Sequence, residues 1–155
     1  MFAARTDPKV SGYLGRALSL ELSAVQQYST QARLVAAWGL IDASASFGKE
    51  AEEELQHANR IIDCMLAIGV APNASQLQPV KLAASLTGLL QLNQRMEKDI
   101  IQLYLSATRY CASMGDHDSR LFFGELLKEE QQHYAELEMW INRLLQQQPH
   151  YGNGR

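Results

Sequence analysis

Residues that break or cross-link a chain are scarce here. Four prolines stand among 155 residues, at 8, 72, 79 and 149, and they leave two long proline-free stretches, 9–71 and 80–148. Nothing in those stretches forbids long helices. The two cysteines, Cys64 and Cys111, are isolated and form no CxxC pair. That argues against a disulfide framework or a thiolate zinc ribbon and fits reduced thiols in a cytosolic core. No run of 18 apolar residues occurs, so no segment is expected to span a membrane. No charged-then-apolar leader opens the chain, and the expected location is the cytoplasm. A net charge of −3 lacks the basic footprint of a nucleic-acid binder. Strand signals are absent as well, so the expected class is all-α.

What remains is helix-forming sequence in an ordinary balance, 46% apolar and 20% charged, enough for one domain with a real core. Asp7 followed by Pro8 predicts a helix start, and Gly39 predicts its end after Trp38. A second helix is expected from near Asp42 to Gly69, a third from near Ser85 to Gly115. Asp116 or Asp118 caps a fourth, bounded by Pro149. Each is roughly 27 to 31 residues, about 40 to 45 Å long. The connection from Val70 to Ala84 is about 15 residues and can reach roughly 50 Å. The other two are short and force antiparallel neighbours. The expected architecture is a four-helix bundle over residues 1–148 with one long crossover between helices two and three, followed by a short tail, 149–155.

Packed helices bury a seam with 3-4-3-4 spacing. Here the seams run Leu14-Leu18-Glu21-Val25-Tyr28, Phe47-Glu50-Glu54-His57-Ile61, Leu90-Asn93-Glu97-Ile100-Tyr104 and Phe123-Leu126-Glu130-His133-Leu137. The third continues through Cys111 to Met114. Each is apolar with polar residues near its middle. The polar residues repeat: Glu130-Gln-Gln-His133 follows Glu54-Leu-Gln-His57 by 76 residues, as Glu97 follows Glu21 and Tyr104 follows Tyr28. With 11 Glu and four His, composition would produce both ExxH pairs and both upstream acids on the order of once in ten thousand chains. One helical hairpin is used twice. Four carboxylates at one level of a bundle interior cannot all ionise alone. Protons are one remedy and cations the other. Two divalent ions match four glutamates, and two imidazoles add nitrogen ligands that suit iron, manganese or zinc over calcium or magnesium.

Over nearly its whole length, from "LGRALSLELSAVQQY" through "EELQHANRII" to "KEEQQHYAEL", the sequence resembles the bacterioferritins. The resemblance implies a ferritin-like fold and a di-iron ferroxidase centre that oxidises Fe(II) with O2 or peroxide for mineral storage in a 24-subunit shell. On it, Glu21, Glu54, His57, Glu97, Glu130 and His133 fall on the metal ligands, with Glu54 and Glu130 bridging. Tyr28 falls on a tyrosine that hydrogen-bonds near the centre. Tyr104 is not carried over from the family; its place opposite Tyr28 suggests a matching role. There are departures. Leu55 stands where the family has its haem-ligand methionine, so no haem is expected in a homodimer, although Leu55, Ile62 and Leu66 form an apolar stripe fit for a dimer interface. Lys49 and Glu53 occupy the inner-surface iron site, which a lysine spoils. A tryptophan that often follows the second ExxH in the family is replaced here, near Glu136. The tail is short, with Pro149 and glycines, so the family's short fifth helix is expected to be missing or altered.

Two other readings accompany the iron-storage one. A rubrerythrin-like di-iron peroxidase shares the ligand set but lacks its usual CxxC pairs here. A subunit that co-assembles with a haem-binding relative follows from Leu55. Among the remaining polar residues, Asn93 is expected to orient a ligand imidazole, and Glu50, Glu52 and Glu53 to form a solvated acidic strip. His117 and His150 are expected on the surface, and the methionines are expected to fill core.

Overall fold

The computed structural model describes residues 7–147; the tail 149–155, with Pro149 and His150, lies outside them. It contains four helices, α1 (Pro8–Ala37), α2 (Ile41–Ala67), α3 (Leu86–Ser113) and α4 (His117–Gln146), and no strand among the described residues. The expected ends hold within a residue or two. The Asp7 side chain caps α1 by accepting from Lys9 N–H, and Pro8 sits at its first turn. Ser85 and Asp116 cap α3 and α4. Gly39 and Gly115, 76 residues apart, reverse the chain at the two short connections with φ of 82° and 71°, a region that an L side chain enters only with strain.

The direction of each helix follows from which residues meet. Tyr28 and Glu97 are paired, and so are Glu21 and Tyr104, so α1 and α3 run antiparallel. His57 meets Glu130 while Glu54 meets His133, so α2 and α4 are antiparallel too. With α1 and α2 forming one hairpin and α3 and α4 the other, α2 and α3 are parallel. That orientation requires the long crossover.

A polar ladder on α1 fixes the crossover. Backbone N–H groups of Gln76, Gln78 and Lys81 donate to the side-chain oxygens of Ser19, Ser23 and Gln27 at 3.0, 2.9 and 3.3 Å. The acceptors are four residues apart, a rise of about 6 Å per step, which two or three extended residues match. Gln27 and Gln31 also clamp Asn93, donating to it at 3.0 Å and accepting from it at 2.7 Å. Asn93 is fully buried, and its hydrogen bonds go to these glutamines rather than to an imidazole, which corrects the expected role. Its amide, with both sides occupied, ties α3 to α1 under the strap.

The core is a single cluster around the seams, with Phe47, Phe123, Leu14, Leu90, Ile61 and Leu126 fully buried. Each such side chain contributes about 1.5–3 kcal/mol by leaving water. The methionines depart from expectation: Met65 is buried, but Met139 and Met114 are exposed. Met114 is the C-cap residue of α3, beyond its last helical turn. His117 is exposed, as expected. Leu55 and Leu66 are 43% and 61% exposed, and Ile62 is half-buried, so this stripe of α2 is left largely uncovered by the described residues. No helix is long and apolar enough to cross a membrane among the described residues.

Candidate metal centre

The seam polar residues meet at mid-height, and Glu21, Glu54, Glu97 and Glu130 are fully buried, with His57 and His133 nearly so. They form two groups. Glu21, Glu54, His57 and Glu130 bring one ligand atom each within 4.8 Å of one another, and so do Glu50, Glu54, Glu97 and His133. Glu54 belongs to both, and Glu130 borders the second as well, with Oε2 3.5 Å from His133 Nδ1. The arrangement is nearly two-fold. His57 Nδ1 lies 2.7 Å from Glu130 Oε1, and His133 Nδ1 lies 2.8 Å from Glu54 Oε1. The two imidazoles stack with centroids 5.8 Å apart.

The tyrosines complete the symmetry. Tyr28 O–H donates to Glu97 at 2.7 Å, and Tyr104 O–H donates to Glu21 at 2.6 Å. Each phenol comes from one hairpin and fixes a carboxylate of the other. Burial raises both phenols well above the usual tyrosine range, and the adjacent carboxylates raise them further. Both stay protonated donors.

Charge is the central problem of the site. Burial, and then the charges of Glu21 and Glu97, raise Glu54 to about 8. Burial and Glu21 raise Glu130 to about 7. Burial and Glu130 hold Glu97 well above the carboxylate range. Burial alone would lower both histidines, but the carboxylates around them prevail: His57 goes far above its usual value and His133 rises to about 12. Without metal the imidazoles therefore carry the positive charge. Even so, Glu21 Oε2, Glu54 Oε2, Glu97 Oε2, Glu130 Oε2 and Glu50 Oε2 are buried with no hydrogen-bond partner. Buried carboxylate oxygens without donors are costly, and here they belong to the residues of the two groups that share Glu54.

Two further carboxylates hold the outer edges of the rings. His57 Nε2 bonds Glu129 Oε2 at 2.6 Å, and His133 Nε2 lies 2.9 Å from Glu53 Oε2. Glu129 is braced by two contacts from Arg60 Nη1, at 2.9 and 3.0 Å; Glu53 has only the exposed Lys49, at 3.6 Å. A carboxylate on Nε2 fixes the tautomer that presents Nδ1 inward, the usual arrangement behind a metal-binding histidine. Glu129 was not singled out from sequence, although it follows Glu53 by the same 76 residues. Of the expected acidic strip only Glu52 is solvated. Glu50 and Glu53 turn toward His133 of α4, their carboxylate oxygens 3.5 and 2.9 Å from its ring nitrogens. Both rings form part of the wall of a polar recess of about 390 Å³ between α2 and α4, with Lys49, Arg60, Gln56 and Gln132 at its rim.

Similarity to known proteins agrees with this geometry. The profile of the ferritin family, described as a ferritin-like domain, matches residues 12–146. The bacterioferritin of Rhodobacter capsulatus is 35% identical over 136 residues, 88% of this chain and 84% of that one. The chain belongs to the bacterioferritins of the ferritin-like family. The bacterioferritin of Brucella melitensis is 31% identical, covering 89% of this chain and 86% of its own. The 2.6 Å structure of Rhodobacter capsulatus bacterioferritin, with a metal-free dinuclear site and haem iron in a crystallographic special position, superposes with a TM-score of 0.86 at 34% identity, over 90% of this chain and 87% of that one. The bacterioferritin fold, a four-helix bundle with one long crossover, is thus shared, and the carboxylate and imidazole groups are of a kind able to hold metal.

Proposed function

We propose that this bacterioferritin is an iron-storage subunit with a ferroxidase centre, in which Glu21, Glu54, His57, Glu97, Glu130 and His133 bind two Fe(II) ions as substrate. The observation that carries the reading is the set of buried, donor-less oxygens on four glutamates, facing one space. Two divalent ions supply the four positive charges that those acids lack, and each displaces the proton of one imidazole. Glu54 and Glu130, reached from both groups, are the bridging pair. Glu21 and Glu97 are terminal, each held by its tyrosine.

The chemistry follows from having two one-electron donors side by side. Two Fe(II) give one electron each to O2; with two protons the products are two Fe(III) and hydrogen peroxide. No one-electron product escapes, because both electrons leave in one encounter. The protein's part is to hold the ions together, exclude bulk water and leave room for the oxidant. Tyr28 and Tyr104 orient the terminal carboxylates and can each give a hydrogen atom. The products pass on as ferric mineral, within a shell built from dimers, up to the 24-mer of the family.

Leu55 has no lone pair to offer iron, so a homodimer of this chain binds no haem through that residue. The exposed Leu55–Ile62–Leu66 stripe favours one companion reading: the chain builds mixed shells with a haem-binding subunit.

Anaerobic Fe(II) titration of the metal-free protein tests the main reading. Saturation at about two ions per chain, abolished in Glu130→Ala, followed by a burst of ferric absorbance in air, is expected. Binding without any ferric burst would discard the ferroxidase. Size-exclusion chromatography tests the shell: a species no larger than a dimer would discard it.

A further inference from the structure

We propose that two files of packed aromatic rings lead from the metal centre to opposite ends of the bundle and carry one-electron oxidising equivalents out of it, the longer file ending at Tyr110 and its partner Asp7. The inference rests on the ferroxidase reading and extends it.

The first file runs Tyr28, Phe47, Trp140, with centroid spacings of 6.2 and 5.6 Å. The second runs Tyr104, Phe123, Tyr13, Tyr110, with spacings of 6.2, 6.3 and 6.0 Å. Tyr28 and Tyr104 are repeat-related, and so are Phe47 and Phe123. Beyond the phenylalanines the halves diverge. Trp140 corresponds to Cys64, Tyr13 to Leu89 and Tyr110 to Leu34. Each half nevertheless continues outward with a readily oxidised ring. Leucine at any of these places would pack as well in an apolar core; a ring that gives up an electron does something more.

The outer end of the second file is built for losing a hydrogen atom. Tyr110 is half-buried, and its O–H donates to Asp7 Oδ2. A phenol that loses an electron becomes a strong acid, so a carboxylate already in contact takes the proton as the electron leaves. The neighbouring cations enforce this coupling. Lys9 Nζ lies 4.4 Å from the Tyr110 centroid and the Arg16 guanidinium 4.9 Å from that of Tyr13. Positive charge over a ring disfavours a radical cation there. The equivalent therefore passes Tyr13 and rests on Tyr110, where Asp7 leaves the radical neutral.

The centre needs such an outlet when it holds one Fe(II) and meets hydrogen peroxide. Peroxide takes two electrons to become water, and one Fe(II) supplies one; the second would be drawn from whatever buried group is nearest. Drawn through the file, the balance is one hydrogen peroxide, one Fe(II), one tyrosine, the Asp7 carboxylate and two protons giving one Fe(III), two waters, one tyrosyl radical and protonated Asp7. The O–O bond breaks, the phenol O–H breaks, Asp7 holds the phenolic proton, and solvent supplies the protons of the waters. The radical then sits at the end of the bundle, away from the metal ligands.

Freeze-quench electron paramagnetic resonance tests the route, on the full chain loaded anaerobically with a single equivalent of Fe(II) and mixed with hydrogen peroxide. A tyrosyl signal is expected in the unsubstituted chain. It is expected to be lost in Tyr110→Phe, to fall sharply in Asp7→Asn and to survive in Trp140→Phe, with Fe(II) oxidation unchanged in all three. Asparagine keeps the helix-capping bond of Asp7 and removes only the proton acceptor. A tyrosyl signal of the same shape in Tyr110→Phe overturns the route, and so does Fe(II) oxidation with no radical in the unsubstituted chain. Failure to oxidise Fe(II) at all overturns the ferroxidase reading instead, which separates the two.

Discussion

His57 and His133 lie nearly parallel, 15° between their planes, and each is gripped at both nitrogens by glutamates of the opposite hairpin. The pair is at once the candidate nitrogen ligand set and, without metal, the countercharge of the buried acids.

That dual role sets a pH dependence. Glu130 at about 7 and Glu54 at about 8 both lie above the unfolded carboxylate value. Their contribution is complete below that value, about 4.3, and is lost as pH climbs through the folded values. His133, at about 12, has the same sign: its share is complete below its ordinary value and is lost progressively as pH climbs from there toward 12. The melting temperature of metal-free protein is therefore expected to fall between about pH 5 and pH 8. Zn(II) needs the same acids deprotonated, so the increment it gives should grow over that interval. Thermal melts with chelator and with Zn(II) across the range check this; a flat or rising metal-free curve would contradict it.

The outer carboxylates should matter to affinity out of proportion to their exposure. Glu129→Ala frees His57 to turn, and Glu53→Ala frees His133. Each is expected to weaken one of two binding steps for Co(II) by about 10- to 100-fold while sparing the other. Calorimetric titration resolves the steps. Equal weakening of both, from either variant, would mean that the carboxylates do not act through their own histidine.

Tyr104→Phe and Tyr28→Phe should resemble each other in the metal-free protein. Each removes the donor of one buried glutamate, at a cost of about 1–3 kcal/mol. Urea unfolding measures it. With iron, stopped-flow mixing with O2 is expected to show slower oxidation in both. A rate in Tyr104→Phe equal to that of the unsubstituted chain would confine Tyr104 to stability.

Asn93→Leu tests the strap. It strands the Gln27 amide and the Gln31 oxygen, and is expected to cost about 1–3 kcal/mol. Because those two glutamines also receive the crossover, proteolysis between 70 and 85 should quicken. A variant as resistant as the parent would show the ladder of serines to be sufficient without the clamp.

Much of this was legible in sequence because the repeat is exact in register. The 76-residue offset found both ExxH pairs, both upstream glutamates and both tyrosines, and a seam of regular spacing placed them inside. The same offset, applied one residue upstream of Glu130, points to Glu129; the acids at 50, 52 and 53 obscured it by looking like one solvated strip. Which of these neighbouring glutamates reach the His133 ring depends on how α2 is rotated toward it, and composition does not carry that. Asn93 was placed on its seam correctly, but its partners were not foreseen. They come from α1, whose Ser19-Ser23-Gln27-Gln31 row faces the strap, and a loop without periodicity gives no sign of where it lands. The aromatic files were equally hidden, since ring contacts across helices leave no spacing within any one of them.

One seam of the bundle differs from the rest. α1 packs broadly on α2, and α3 on α4, whereas α2 and α4 barely approach and are joined chiefly by histidines, glutamates and Arg60. Apolar packing, which resists parting, is thinnest on the side where cargo would be held. Opening along that line is thus expected to cost less than parting either hairpin, and, if the centre takes up iron, it is the expected way in and out.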